Sequence, residues 1–375
     1  MRIAQVAPLY ESVPPRYYGG TERVVSYLSD GLTKLGHDVT LFASAESRTA
    51  AKLVPSRDCA IRLDPNPLSS DVAAHLSMLQ DVRRRIDEFD IIHFHTDVLH
   101  LPLFEHLASR TLTTLHGRLD LKDLGGAFER WHQFPLVSIS EDQKLRLPNA
   151  NWRGVVHHGL PPEVLGFEPT PGGGYLAFLG RISPEKRPDR AIEVARRSGL
   201  PLKIAAKVDR ADQEYHRACI EPLLLGPGVE FIGEISEDQK SAFLGQAVAL
   251  IFPIDWPEPF GLVMIESMAC GTPVVAWPVG SVPEVVENGV TGRLVNTIGD
   301  AVDAVHEVAQ YDRHLIRACF ERRFSAQVMA RSYEEIYLTL LDGQQMPLPL
   351  AGVAHGTEIG IRVPSVDVRP LADRP

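Results

Sequence analysis

The chain has 375 residues and a formal charge of −10 at neutral pH, from 38 basic and 48 acidic side chains, a length that suits two domains of about 150 residues each. Its densest basic run, Arg83-Arg84-Arg85, is followed at once by Asp87, Glu88 and Asp90, which excludes a basic stripe for nucleic acid or anionic lipid. Cys59, Cys219, Cys270 and Cys319 form no Cys-x-x-Cys pair and no apolar run reaches the roughly 18 residues of a membrane span, so the chain reads as reduced, cytoplasmic and without a transmembrane segment.

The first residues, Met1 to Pro8, read directly as a strand over 3–7 and not as a charged leader. A helix over 21–35 follows, with Val24, Val25, Leu28, Leu32 and Leu35 on one side, and a strand returns over 37–43. Further strands are expected over 91–95, 111–115, 136–140 and 155–157. Short apolar runs alternating with helical patterns predict a parallel sheet wrapped by helices, hence one doubly wound domain over 1–160. The proline- and glycine-rich stretch over 161–174 reads as a linker. A second alternating pattern predicts another doubly wound domain over 175–324, with strands over 175–179, 202–206, 229–232, 248–252, 273–276 and 293–295. The capping box from Ser236 to Gln239 opens one of its helices. A last helix over 325–341 carries Val328, Ser332, Ile336 and Leu340 on one face. From 342 to 375 the pattern dissolves into prolines and small residues, and this tail is expected to be disordered.

The densest chemistry lies in Asp255-Trp256-Pro257-Glu258-Pro259-Phe260-Gly261-Leu262-Val263-Met264-Ile265-Glu266. Pro257 and Pro259 hold Glu258 on an extended loop, whereas Leu262 to Cys270 is a run of helix formers closed by Gly271. At about 100° per residue, the eight steps from Glu258 to Glu266 would separate the two carboxylates on one continuous helix. The loop is what allows both to reach one ligand. Between them the helix N-terminus at Gly261-Leu262 offers free N–H groups and the positive end of a dipole to a phosphate. Two carboxylates for hydroxyls around an anion site suit a nucleotide-sugar.

This Glu-x7-Glu element resembles that of the retaining glycosyltransferases of family 4, here a bacterial-type member. The resemblance implies the α/β GT-B fold, two Rossmann-like domains facing each other across a cleft, with the final helix crossing back onto the first domain. It extends from about residue 1 to about residue 341. Gly180-Arg181-Ile182-Ser183-Pro184-Glu185-Lys186 matches the family's Gly-Arg-x4-Lys, so Arg181 and Lys186 would lie over the donor diphosphate. Thr114-Leu115-His116-Gly117 is similar to the segment that places a histidine near the donor sugar, which makes His116 a candidate catalytic residue with Arg181, Lys186 and Glu258. Donor contacts are implied for Gly20, Phe260, Gly261, Leu262 and Glu266 as well, with Glu266 on the ribose and Glu258 on the sugar. Arg16, Tyr17, Tyr18 and His95 are acceptor-side candidates, although loop residues before Gly19-Gly20 are as often merely structural; His158 is a further neighbour. The closing segment Pro278 to Gly292 matches too, with Gly280-Ser281 in place of the commoner Gly-Gly.

The function implied is transfer of a hexose from a nucleoside-diphosphate sugar to an acceptor hydroxyl, weakly favoured as soluble, with retention at the anomeric carbon. No metal or other cofactor is expected, because the chain has no Asp-x-Asp triplet and the cationic pair supplies countercharge. Two other readings stay open: a GT-B sugar-nucleotide epimerase or hydrolase, and a non-catalytic sugar-nucleotide binder. The base, the sugar, the acceptor and the oligomeric state are not specified by these residues.

Overall fold

The computed structural model describes residues 1–16, 19–66 and 68–345. Seven strands build a first sheet: β1 (Arg2–Val6), β2 (Asp38–Ser44), β3 (Lys52–Arg57), β4 (Ile91–Phe94), β5 (Thr111–Thr114), β6 (Leu136–Ser138) and β7 (Trp152–Val155). Six build a second: β8 (Leu176–Arg181), β9 (Leu202–Lys207), β10 (Val229–Gly233), β11 (Ala249–Phe252), β12 (Val274–Ala276) and β13 (Gly292–Leu294). Their orders are β3-β2-β1-β4-β5-β6-β7 and β10-β9-β8-β11-β12-β13, with every strand pair parallel. Parallel strands need crossover connections, whose helices cover both sheet faces, and so β4, Ile-Ile-His-Phe, is buried at every position. Chain order reverses once in each sheet, between β1 and β4 and between β8 and β11. At such switch points the connections leave toward opposite faces and open a crevice at the strand C-termini.

The expected strands fall within a residue or two of those observed, with two exceptions. The strand expected over 155–157 lies upstream at Trp152–Val155, and β3 was not anticipated. Pro55 inside β3 argues against a central strand, but β3 is the sheet edge, where a missing N–H costs no ladder bond.

The chain passes between the sheets twice, side by side. Leu160 N–H donates to the Phe324 carbonyl (2.9 Å) and Ala326 N–H to the Leu160 carbonyl (2.8 Å). Gly159 has no alternative here, since a Cβ would lie 2.4 Å from the Ser325 carbonyl oxygen. The last helix, Ala326–Gln345, then packs on the first sheet's side. Ala330 meets Gly31 of the helix Gly20–Lys34, Ile336 meets Gly154, and Tyr333 and Tyr337 are fully buried. This helix overruns the expected end at 341 through Asp342 and Gly343. A glycine costs only about 1 kcal/mol in a helix, too little to stop a packed one. The rest of the expected tail, from 346 on, lies outside the described residues. One apolar cluster joins both halves, from Ile3 and Val24 through Phe320 and Phe324 to Ile265 and Met268.

Candidate active site

The two switch points face each other across a cleft of about 730 Å³. Gly20, His95 and His116 line it from the first sheet; Arg181, Lys186, Glu258, Phe260, Gly261, Leu262 and Glu266 line it from the second. Arg16 is exposed and lines no part of it, and Tyr17 and Tyr18 lie outside the described residues.

On the second-sheet wall, β11 runs into the loop that carries Glu258. Ser281 N–H donates to the Glu258 carbonyl (3.0 Å), and the buried Ser281 hydroxyl donates to the Phe260 carbonyl (2.8 Å). The serine that replaces the family's commoner glycine thus ties down the loop. Gly280 must be glycine: its φ is +64°, and a Cβ would stand 2.4 Å from the Glu258 nitrogen. Gly261, at φ +78°, starts the helix Leu262–Ala269, which has no side-chain cap. The helix Gly20–Lys34 likewise begins at Gly19 without one. Gly20 faces Leu262 across the cleft, where a Cβ would lie 3.7 Å from Leu262 Cδ1. Two helix N-termini with unspent N–H groups and positive dipole ends therefore converge, an arrangement that favours an anion.

The charged side chains of this wall are paired with one another. Lys186 Nζ bonds Glu258 Oε2, which also accepts from Trp256 Nε1 (2.9 Å), and the ammonium sits 4.7 Å from the Trp256 ring centre. Lys240 Nζ donates to Glu266 Oε1 (2.6 Å) and pairs with Glu237 (3.1 Å), which in turn meets Arg23 of the first domain (2.5 Å). Arg181 donates to Glu185 (3.1 Å) and Asp209 (3.3 Å). The sequence named Arg181, Lys186, Glu258 and Glu266 but none of these partnerships. Their low exposure accounts for the pairing, since a charge removed from water must be compensated locally. Lys240, Arg23 and Trp256 are cleft residues that the sequence did not single out as a site. Trp256 stands inside the motif already singled out; Lys240 reaches Glu266 only through the fold.

The first-sheet wall also carries charge at its edges, on Glu22, Arg23, Arg62, Asp97 and Arg118, but its histidines sit in a network of uncharged groups. His116 Nε2 lies 2.8 Å from His95 Nδ1, His95 Nε2 lies 2.8 Å from Gln5 Oε1, and Gln5 Nε2 donates to Tyr337 Oη (3.0 Å). Tyr337 Oη is 2.7 Å from His93 Nδ1, His93 Nε2 is 2.8 Å from Thr114 Oγ1, and Thr114 Oγ1 is 2.8 Å from Tyr333 Oη. Burial pushes the His116 imidazole down to about 3 and His93, His95 and His158 well below the usual histidine range. His116 stacks on His158 at 5.2 Å, and the Nδ1 atoms of both are buried without a hydrogen-bond partner among the described residues. Both residues line the cleft, and each leaves there a buried polar atom unsatisfied.

The paired switch points and the converging helix termini define an α/β GT-B glycosyltransferase. The group-1 glycosyl transferase model matches residues 168–311 and the glycosyltransferase family 4 model matches residues 18–142, and the chain belongs to family 4. A glycogen synthase of Mycobacterium tuberculosis is 26% identical over 408 aligned residues, spanning 93% of this chain and 97% of the relative. Among solved structures, a sucrose-phosphate synthase from Thermosynechococcus elongatus superposes with a TM-score of 0.73 at 17% identity, over 92% of this chain and 100% of that one. HepE of Anabaena, solved in complex with UDP-glucose, superposes with a TM-score of 0.67 at 18% identity, over 90% of this chain and 100% of that one. No helix among the described residues is long and apolar enough to cross a membrane.

Proposed function

We propose that the protein is a retaining hexosyltransferase that moves a sugar from a nucleoside-diphosphate donor to an acceptor hydroxyl without a metal. The observation that carries this reading is the convergence of two uncapped helix N-termini with Lys186, Arg181, Glu258 and Glu266 on one cleft wall. In the proposal the diphosphate occupies the helix termini, and Arg181 and Lys186 turn from their carboxylate partners to the leaving phosphate. Glu266, steadied by Lys240, accepts the ribose hydroxyls, and Glu258 holds sugar hydroxyls. His116 Nδ1 gains a partner in the sugar. Among the described residues no side chain stands as an evident nucleophile, and a front-face displacement lets the leaving phosphate take the acceptor's proton. The UDP-glucose complex of a structural neighbour supports a nucleoside-diphosphate hexose as donor.

The test is to incubate the protein with UDP-, GDP- or ADP-glucose, with and without sugar and cyclitol acceptors, and to read the anomeric configuration of the product. An α-linked product formed equally well in chelator is expected. An inverted product, or activity lost in chelator and restored by added metal, would overturn the corresponding part. Free glucose released equally with and without acceptor would indicate a hydrolase.

A further inference from the structure

The first-sheet hydrogen-bond chain assigns a task to residues that no cleft motif contains. We infer that Gln5 and Tyr337 are positioning residues that hold the His116 imidazole in one tautomer, so that the last helix fixes the chemistry of the sugar site. The inference rests on the transferase reading, in which His116 meets the donor sugar.

A neutral imidazole has one N–H and one bare nitrogen, and the bond made at one nitrogen decides the state of the other. The three histidines of the chain are held neutral by burial. Gln5 supplies the polarity. Its amide nitrogen donates to Tyr337 Oη, so its oxygen accepts from His95 Nε2. His95 Nδ1 is then bare and accepts from His116 Nε2, which leaves His116 Nδ1 bare. That nitrogen is the buried, unpartnered atom, and it suits a donating sugar hydroxyl. In the other direction Tyr337 donates to His93 Nδ1, and His93 Nε2 donates to Thr114. Reversing His116 requires the Gln5 amide to turn and every link to reverse together, which makes the assembly stiffer than any single bond. By contrast, His100 meets Thr113 Oγ1 (2.9 Å) and joins none of the links from Gln5 to Thr114.

Tyr337→Phe keeps the buried ring and removes the one oxygen that joins Gln5 to His93. In full-length protein labelled with nitrogen-15 histidine and without substrate, the wild type should show His116 as a single Nε2–H tautomer, and Tyr337→Phe should show a mixture. With whichever nucleotide-glucose the wild type consumes, kcat should fall about fivefold to tenfold while the donor KM stays put, the size expected of one hydrogen bond. Thr113→Val, which removes the isolated His100 bond from the same strand, should lower Tm and leave kcat unchanged. A His116 that remains a single tautomer in Tyr337→Phe, or an equal loss of kcat in Thr113→Val, would overturn the inference. Gln5→Met interrupts the chain one link closer and gives the same readout if Tyr337→Phe fails to fold. The imidazole spectrum needs no donor, so a protein that consumes no sugar nucleotide would sink the transferase reading while leaving the tautomer question answered.

Discussion

The two walls of the cleft solve different problems. The second-sheet wall is ionic: Lys186 with Glu258, Lys240 with Glu266, Arg181 with Glu185 and Asp209, all close to two helix N-termini. Behind the first-sheet wall, apart from its flanking charges, lies a chain of neutral imidazoles, hydroxyls and an amide. Charge suits a partner whose own charge grows during reaction, and pre-paired ions already stand in place for it. Neutral groups suit orientation, because a hydrogen-bond chain fixes direction without adding a field. The difference also sets how each wall responds to perturbation.

The largest expected effect is the response to acid of the buried histidines in and around the first sheet. His100 and His116 are held down to about 3, and His93, His95 and His158 are held well below their ordinary value, by burial. The folded protein keeps them neutral, whereas the unfolded chain protonates each as pH falls below about 6.5. Stability is therefore fully present above that pH and is lost on acidification, by about 1.4 kcal/mol per pH unit for each histidine. Five such groups can erase an ordinary folding free energy of about 5–15 kcal/mol within roughly two pH units. Tm should be level above about pH 7 and fall steeply below about pH 6. A melting curve unchanged down to about pH 5 would show that the walls do not differ in this way.

Next comes the ionic wall under mutation. Arg181→Ala and Lys186→Ala should each lower turnover about a hundredfold, the cost of roughly 3 kcal/mol for one positioned donor on the leaving group, with nucleotide affinity falling less. Lys186→Ala also strands the buried Glu258 carboxylate. Adding Glu258→Gln to it should recover Tm but not turnover, which separates the pair's structural part from its catalytic part. Folded single variants with wild-type turnover would remove the phosphate clamp from the mechanism. The smallest effect is expected at Glu266→Ala, whose ribose contacts are made equally before and during reaction. The donor KM should rise about tenfold with kcat nearly unchanged, and a loss confined to kcat would mean that Glu266 touches the reacting centre instead.

Much of the ionic wall was legible in the sequence because its parts are local. Pro257 and Pro259 force the loop, Gly261 starts the helix, and Gly180 to Lys186 follows a strand end; local signals singled out Glu258 and Glu266, the family resemblance joined Arg181 and Lys186 to them, and all four line one cleft. Their partners were not legible. Lys240 and Arg23 meet Glu266 and Glu237 across gaps in sequence that only folding closes. On the first-sheet wall His95 and His116 stood out, but Gln5 on β1 and Tyr337 on the last helix carry no local signal, and their bond spans almost the whole chain. The end of that helix was misplaced because the apolar pattern stops near 341, whereas the helix runs on through the exposed Asp342 and Gly343, whose glycine costs only about 1 kcal/mol.

The sequence by itself determined the two alternating strand–helix patterns, and with them two parallel sheets, because apolar periodicity is set by burial on both faces of each strand. It also determined the loop-to-helix junction at Glu258 to Glu266, because proline and glycine act on the backbone where they stand. Only the tertiary structure decided which charges neutralise one another, which imidazole nitrogen is left without a partner, and how the final helix joins the histidine chain. Those outcomes depend on distances of about 3 Å between residues far apart in the chain, and no local preference encodes them.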